Sequence, residues 1–417
     1  MKILQINKFF FLKGGTERYL FDLSELLERK GHQVLVWSTE HPQNFNWPEK
    51  TNFVNFYEYS KKEGGWKDFK KIIRIFWNFE AKKKLKKLIQ KEKPDLAHLH
   101  NIFHHFSPSI IFTLKKHHLP IVMTLHDYKF FCPNYKFFSQ GKICFDCLKK
   151  ENYWPVVFKK CVKNSYLKSS VCALEGKWQK SFLKLSKKID AFIAPSLFIR
   201  KQALEWGIPK EKIFHLPNFV KRDKKENLSR DNTKSEKYPY LLYFGRLNQE
   251  KGIDILIKAF LKLLKKQPNW QLKIIGQGPE KEKLEKLAGP AGQKIEFFGQ
   301  KQGNQLKELI TRSYLTILPS LWPENFPYAV LESFIRQKTV ISTRVGGIIE
   351  LIKDKKTGLL VEPNNEIDLR KKIEWAIKHP QQINKMGQEA QKKVLVNYNS
   401  KKHYQELIKI YERIKNN

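Results

Sequence analysis

The chain has 417 residues, 41% of them hydrophobic and 13% aromatic, with 79 Lys+Arg against 41 Asp+Glu for a net charge of +38. That length exceeds one ordinary hydrophobic core and suits two domains, and the aromatic content excludes a chain disordered throughout. The charge is spread through both halves, which excludes a single basic arm for nucleic acid and leaves a generally Lys-rich surface or an affinity for polyanions and anionic lipid.

Met1–Phe10 has no small-residue cleavage site after its apolar part and reads as a first buried strand, Lys2–Asn7, not a signal peptide. No run of about 18 apolar residues follows anywhere, so no segment reads as a membrane-spanning helix. After the Gly14-Gly15-Thr16-Glu17 interruption, Tyr19, Leu20, Leu23, Leu26 and Leu27 recur at helical spacing up to Gly31, and Val34–Ser38 is the next strand. This βαβ unit predicts parallel strands and an α/β fold. Further strands are expected at Leu96–Leu99, Ile121–Leu125, Ala191–Ala194 and Ile213–Leu216. The polar stretch Asp223–Tyr238 reads as an interdomain linker. Beyond it strands are expected at Tyr240–Phe244, Gln271–Ile275, Lys294–Phe298, Leu315–Pro319, Val340–Thr343 and Leu359–Val361, alternating with helices. The domains are then 1–222, with a Cys-rich insert over 132–172, and 239–396. A C-terminal helix over 397–417 is expected to pack back on the first domain.

Doubly wound sheets bind ligands beyond the carboxyl ends of their strands. After Tyr240–Phe244 come Gly245-Arg246 and Glu250-Lys251-Gly252, which bring two cations to a helix start, a site suited to a diphosphate; a solvated charge pair in a loop is the alternative. Gly276-Gln277-Gly278 is a second tight turn after a strand, weak evidence by itself. In Pro319–Glu332, Glu324 sits in a Pro-restricted loop, and Glu332 sits in a helix whose neighbours Val330, Leu331 and Phe334 are apolar. The first carboxylate can address a sugar and the second a ribose.

Glu324-x7-Glu332 with Gly245-Arg246 and Glu250-Lys251-Gly252 resembles glycosyltransferase family 4, retaining enzymes of the GT-B fold. So, in the same order, do Gly14-Gly15, Pro94-Asp95-Leu96-Ala97-His98-Leu99-His100, Thr124-Leu125-His126-Asp127-Tyr128, Ala194-Pro195-Ser196, Leu216-Pro217-Asn218, Gly346-Gly347 with Glu350, and Thr357-Gly358. The resemblance covers nearly the whole chain. It implies two facing Rossmann-like domains, the first for the acceptor and the second for a nucleotide-sugar donor. It implies that Arg246 and Lys251 hold the diphosphate, Glu332 the ribose, and Glu324 and the backbone of Asn325 and Phe326 the sugar. Gly15 and Gly276 lie at the donor, and His126 contacts the reacting sugar. The expected reaction moves a hexose from a UDP- or GDP-sugar to a glycan or lipid-linked acceptor in cell-surface polysaccharide synthesis, at the cytoplasmic face of a membrane. No Asp-x-Asp pair occurs, so no metal is expected in catalysis, and Arg246 and Lys251 stabilise the leaving group. Rivals are an epimerase or phosphorylase of the same fold, or a polyanion-binding module.

His98 reads as buried, and His100 as either structural or in contact with ligand; His104 and His105 follow with no carboxylate nearby in sequence. All five cysteines lie between Cys132 and Cys172. Cys132, Cys144, Cys147 and Cys161 have spacing compatible with a structural zinc, buried reduced thiols being the alternative. Similar Cys-rich inserts occur in a subset of the family. The basic, aromatic stretch Trp66–Pro94 reads as a helix that lies on an anionic membrane surface or packs its apolar face on the first sheet.

Overall fold

The computed structural model describes residues 1–46, 52–59, 64–150, 152–221, 238–291 and 293–416. The apolar runs of the N-terminal half form one six-stranded sheet: β1 (Lys2–Ile6), β2 (Gln33–Trp37), β3 (Leu96–Leu99), β4 (Ile121–Thr124), β5 (Ala191–Ala194) and β6 (Ile213–His215). They pair in the order β6-β5-β4-β3-β1-β2, all parallel. The C-terminal half repeats the plan with β7 (Tyr240–Phe244), β8 (Gln271–Ile275), β9 (Ile295–Phe297), β10 (Leu315–Leu318), β11 (Val340–Thr343) and β12 (Gly358–Val361), in the order β9-β8-β7-β10-β11-β12. Every strand expected from sequence is present, its ends displaced by no more than one residue.

The strands read as unbroken apolar runs because helices cover both faces of each sheet. In the second sheet the helix Ile253–Leu264 turns Ile253, Leu256, Ile257, Phe260 and Leu263 inward at helical spacing, into a core with Leu241, Leu272, Ile317 and Ile341. Each sheet reverses its winding once, between β1 and β3 in the first and between β7 and β10 in the second. A crevice opens at the strand ends there, because the crossovers on either side go to opposite faces.

Two compact units result, one of Met1–Phe137, Phe145–Pro217 and Lys401–Asn417, the other of Phe138–Cys144 and Asn218–Ser400. The linker expected at Asp223–Tyr238 lies, apart from Tyr238, outside the described residues. In the first unit the last helix, Ser400–Lys415, is fastened by polar contacts: His98 Nδ1 lies 2.7 Å from the Tyr411 hydroxyl, and Lys415 donates to Asp95 at 2.8 Å.

The stretch Trp66–Pro94, expected as one amphipathic helix, is two. α1 (Gly65–Phe76) ends before Asn78, whose side chain accepts from the Ala81 N–H and so caps α2 (Phe79–Glu92). The Asn78 amide also donates to His105 O, which pins the break to a distant loop. Inside α1 the pattern is inverted: Lys71 and Ile75 are buried, while Trp66, Phe69 and Ile73 face solvent. α2 buries Leu85 and Leu88 in the ordinary way.

Candidate active site

At the reversal point of the second sheet, the loops leaving β7 and β10 meet. Glu324 is buried, and its Oε1 accepts from Lys251 Nζ at 2.6 Å and from Ser320 Oγ at 2.6 Å. Burial pushes this carboxyl up, but the Lys251 charge and these hydrogen bonds outweigh it and hold the pKa below its ordinary 4.5. Backbone contacts fix the pair. Glu324 O accepts from the Gly347 N–H at 2.7 Å, and the Leu321 N–H donates to Glu250 O at 2.8 Å. A Cβ on Gly346, which has φ +52°, would stand 2.3 Å from Glu324 O. The turn after β8 is built the same way: a Cβ on Gly276 would stand 1.8 Å from Gly245 O, and the Leu247 N–H donates to Gln277 O. The glycines of both turns are therefore packing requirements between two strand-end loops.

Arg246 is exposed on the loop that also carries Lys251, and it and Glu324 both act on the Tyr243 hydroxyl. Asn325 and Phe326 are buried, and Pro327 precedes the helix Tyr328–Ile335, whose start carries no side-chain cap. Glu332 is half-buried on that helix, between the fully buried Leu331 and Ser333. The structure thus brings Arg246, Lys251, Gly276, Glu324, Asn325, Phe326 and Glu332 to the strand-end loops of one sheet and the helix they lead into.

The first unit places its residues at the matching end of its own sheet. Gly14 and Gly15 open the helix Gly15–Glu28 with no side-chain cap, and buried Glu17 in its first turn accepts from Asn7 Nδ2 at 3.2 Å. A chain of hydrogen bonds then runs through the strand ends. Ser24 donates to Leu20 O, so its oxygen accepts from Gln5 Nε2. The Gln5 carbonyl oxygen, 2.8 Å from His100 Nε2, requires a proton there. His100 Nδ1 is then the acceptor for His126 Nε2–H at 2.9 Å, and Nδ1 of His126 carries the lone pair. Burial keeps both imidazoles neutral, His126 with its pKa pushed down to about 3. His126 is therefore a neutral, oriented hydrogen-bond acceptor and not an acid at ordinary pH. His98 is fully buried between Tyr411 and Thr124.

A model described as Glycosyltransferase Family 4 matches residues 13–224, and one described as Glycosyl transferases group 1 matches residues 224–393. The chain belongs to glycosyltransferase family 4. It is similar to an uncharacterized 42.6 kDa protein in the cps region of Klebsiella pneumoniae, 26% identical over 383 residues that cover 88% of this chain and 92% of that one. Alpha-D-kanosaminyltransferase of Streptomyces kanamyceticus is 28% identical over 42% of this chain and 46% of its own. Among solved structures, HepE of Anabaena in complex with UDP and glucose has a TM-score of 0.69 at 17% identity, covering 99% of this chain and 100% of that one. A glycosyltransferase of Rickettsia africae has 0.68 at 20%, covering 99% and 98%. The fold of this glycosyltransferase is accordingly GT-B, two Rossmann-like α/β domains.

Sequence reasoning missed a second polar cluster in this glycosyltransferase. Glu175 is buried, and its Oε2 accepts from Lys129 at 2.8 Å and lies 3.1 Å from His104 Nε2; burial alone would raise its pKa, but His104 and Lys129 pull it down to about 2. A carboxylate does accompany His104, from 71 positions further on, so the expectation of none is corrected. His104, Cys172 and Glu175 bring ligand atoms within 4.8 Å of one another, but the Lys129 ammonium already neutralises the carboxylate. Of the four cysteines with zinc spacing, Cys132 donates its thiol to Asn134 Oδ1 at 2.9 Å and has the backbone N–H groups of Asn134, Lys136 and Phe137 directed at its sulfur, with Cys161 near it; among the described residues the four do not bring their sulfurs together as His104, Cys172 and Glu175 bring their ligand atoms. Cys147 and Cys132 both act on the Tyr153 hydroxyl. Burial pushes the Cys132 thiol up to about 12. Cys144 lies at the end of the hairpin Phe138–Ser139 and Lys142–Ile143.

Two outcomes follow for stability. Lys251→Ala leaves Glu324 buried and unpaired, and should cost about 3–5 kcal/mol, most of it recovered by adding Glu324→Gln; calorimetric unfolding of the single and double variants checks this, and equal losses in both would contradict it. His98, His100, His126 and His403 are neutral when folded, His403 with a pKa near 4, and take up protons on unfolding near the ordinary 6.5. Their contribution is present above about pH 6.5 and declines as pH falls, by about 1–2 kcal/mol per imidazole at pH 5. Nitrogen NMR should show none of the four titrating between pH 5 and 8, with the melting temperature falling over that range on acidification.

Proposed function

We propose that this glycosyltransferase is a retaining hexosyltransferase that takes a hexose from a nucleotide diphosphate sugar, UDP- or GDP-linked, to a glycan or lipid-linked acceptor in cell-surface polysaccharide synthesis. It works in the cytoplasm, as a peripheral protein on the inner face of the membrane. The observation that carries the reading is the pair of half-buried Lys251 and buried Glu324 at the reversal point of the second sheet, 2.6 Å apart, with exposed Arg246 on the same loop as Lys251. A paired cation and carboxylate held there by backbone contacts suit a ligand that is anionic at one end and hydroxylated at the other. The UDP and glucose in HepE, and the cps region in which the Klebsiella relative lies, support a nucleotide-sugar donor and a polysaccharide product.

In this reading Arg246 and Lys251 meet the diphosphate, and Gly15 and Gly276 let backbone N–H groups approach it. Glu332 accepts from the ribose hydroxyls. Glu324, kept ionised, and the backbone of Asn325 and Phe326 hold sugar hydroxyls, and His126 contacts the reacting sugar. The acceptor hydroxyl oxygen bonds to the anomeric carbon on the face from which the phosphate leaves. The bond between that carbon and the phosphate oxygen breaks, and the acceptor's proton passes to the departing oxygen, so configuration is retained. Charge growing on the diphosphate is met by cations already in place, which lowers the barrier without reorganisation and without a cofactor.

A structural zinc held by thiolates is the further part of the proposal. It rests on the Cys-x2-Cys spacing in the sequence and is supported by Cys132, which has Cys161 near it and backbone N–H groups directed at its sulfur.

Arg246→Ala, at an exposed position, should leave the melting temperature unchanged and lower kcat by about 100-fold with the preferred donor. A screen of UDP-, GDP- and ADP-sugars identifies that donor, and proton NMR of the product should show the donor's anomeric configuration; near-normal turnover or an inverted product would end the reading. Elemental analysis should find one zinc per chain, lost with a fall in melting temperature when Cys132 and Cys147 are both changed to Ser; less than a tenth of an equivalent in the unaltered protein rules zinc out.

A further inference from the structure

Part of this molecule's surface is built against the usual rule. α1 buries Lys71 and leaves Trp66 64% exposed, with Phe69 and Ile73 beside it on the same face. The placement of Lys71 is compensated by Asp68, 3.6 Å away. α1 packs beside a second helix with the same habit, α3 (Tyr166–Lys177), which continues without a break into a π-helical turn over Trp178–Phe182. Leu167, Leu174 and Phe182 recur along that rod at helical spacing and are 70%, 48% and 67% exposed. The short helix Pro155–Phe158 lies against α3 and adds Trp154 and Phe158, the latter 76% exposed. Between these helices a cavity of about 210 Å³ has Tyr153, Trp154 and Leu174 on its walls and Lys177 and Lys180 at its side. Soluble proteins seldom present so many large apolar side chains together on one face.

The charges around this face decide what it fits. Between Asn152 and Ile189 the chain has a single carboxylate, Glu175, and that one is buried against Lys129. Lys163, Lys177 and Lys184 are exposed along the same stretch, and Lys67 and Lys70 stand among the exposed side chains of α1, with Lys70 over the Trp66 ring at 5.8 Å. A protein partner with an apolar patch would satisfy the aromatic side chains and leave the ammonium groups unmatched. A bilayer with anionic headgroups matches both, because its acyl region takes the apolar side chains and its phosphates take the lysines, whose stems reach up from the interface.

We infer that α1, the helix Pro155–Phe158 and the rod from α3 to Phe182 form one docking face for an anionic phospholipid bilayer. The inference rests on the membrane part of the function proposed above and names the surface that part would use. It does not depend on the donor or on zinc.

The test is sedimentation with vesicles of phosphatidylcholine alone and with 30% phosphatidylglycerol, a proportion that is about that of an anionic leaflet. The full chain should bind the mixed vesicles and not the neutral ones, and release as salt rises. Two variants, Trp66→Ser with Phe69→Ser and Ile73→Ser, and Leu167→Ser with Leu174→Ser and Phe182→Ser, should each bind about tenfold less or weaker. Both sets are exposed, so their melting temperatures and donor hydrolysis should match those of the unaltered protein, which separates a docking defect from misfolding. Binding to mixed vesicles that neither variant weakens overturns the assigned face while leaving membrane association standing. No binding by the unaltered chain overturns association itself and leaves glycosyl transfer untouched. A dimer in light scattering that both variants dissociate, with no lipid binding, assigns the face to a second copy of the chain and also overturns the inference.

Discussion

A parallel sheet covered on both faces leaves its side chains only two places to meet a ligand: the strand ends and the turns that follow them. Both sheets of this protein are of that kind, their strands almost completely buried, so chemistry collects in short loops where the winding reverses. The loops must also approach one another closely. Gly276 lies so near Gly245, and Gly346 so near Glu324, that a single methyl group would meet backbone oxygen. The position of Glu324 is thus inherited from main-chain contacts, and the side chain has little freedom left to lose on binding. A carboxylate fixed in this way can be buried because Lys251 and Ser320 meet its charge from within the same loops.

The two units solve the same problem with different charge states. In the second, a cation and an anion face each other and the carboxylate of Glu324 stays ionised, because the pairing outweighs burial. In the first, the imidazoles of His98, His100 and His126 stay neutral, because burial is the leading effect on each and no carboxylate among the described residues opposes it. Neutral imidazoles can be chained donor to acceptor, and the direction of that chain is set by the Ser24 hydroxyl, whose donation to Leu20 O fixes the order of every proton after it. The same kind of sheet end thus carries paired charges in one unit and a neutral hydrogen-bonded chain in the other.

The strands were legible in the sequence because buried parallel strands are short unbroken apolar runs, and nothing in the tertiary structure competes with that signal. The glycine turns were legible for a related reason, since a close approach of backbones demands glycine wherever it occurs. What sequence could not show depends on partners far along the chain. Asn78 breaks the stretch Trp66–Pro94 partly through a bond to His105, and the inward turn of Lys71 in α1 is a tertiary choice that periodicity alone assigns the other way round. The Lys129–Glu175–His104 cluster joins three segments whose only local sign is that Glu175 is the lone carboxylate in a long basic stretch. Charge isolation of that kind is a usable signal, because an unpaired carboxylate among lysines is either exposed and solvated or buried and strongly held.

The position of the Cys-rich segment in the first sheet gives it a purpose beyond filling space. It leaves the sheet at the carboxyl end of β4, through the His126 turn, and returns to the amino end of β5, so only its first residues lie at the same end of the sheet as the neutral imidazoles. Its one buried ion pair, Lys129 with Glu175, ties the start of the segment to α3 and carries His104 with it. The exposed apolar side chains of α3 and of its neighbour α1 each carry a standing cost in water, which in α1 the fold could have avoided by turning the helix over. A surface kept in that state in a chain of net charge +38 is accounted for by an anionic, apolar partner, which takes the apolar side chains and the lysines together.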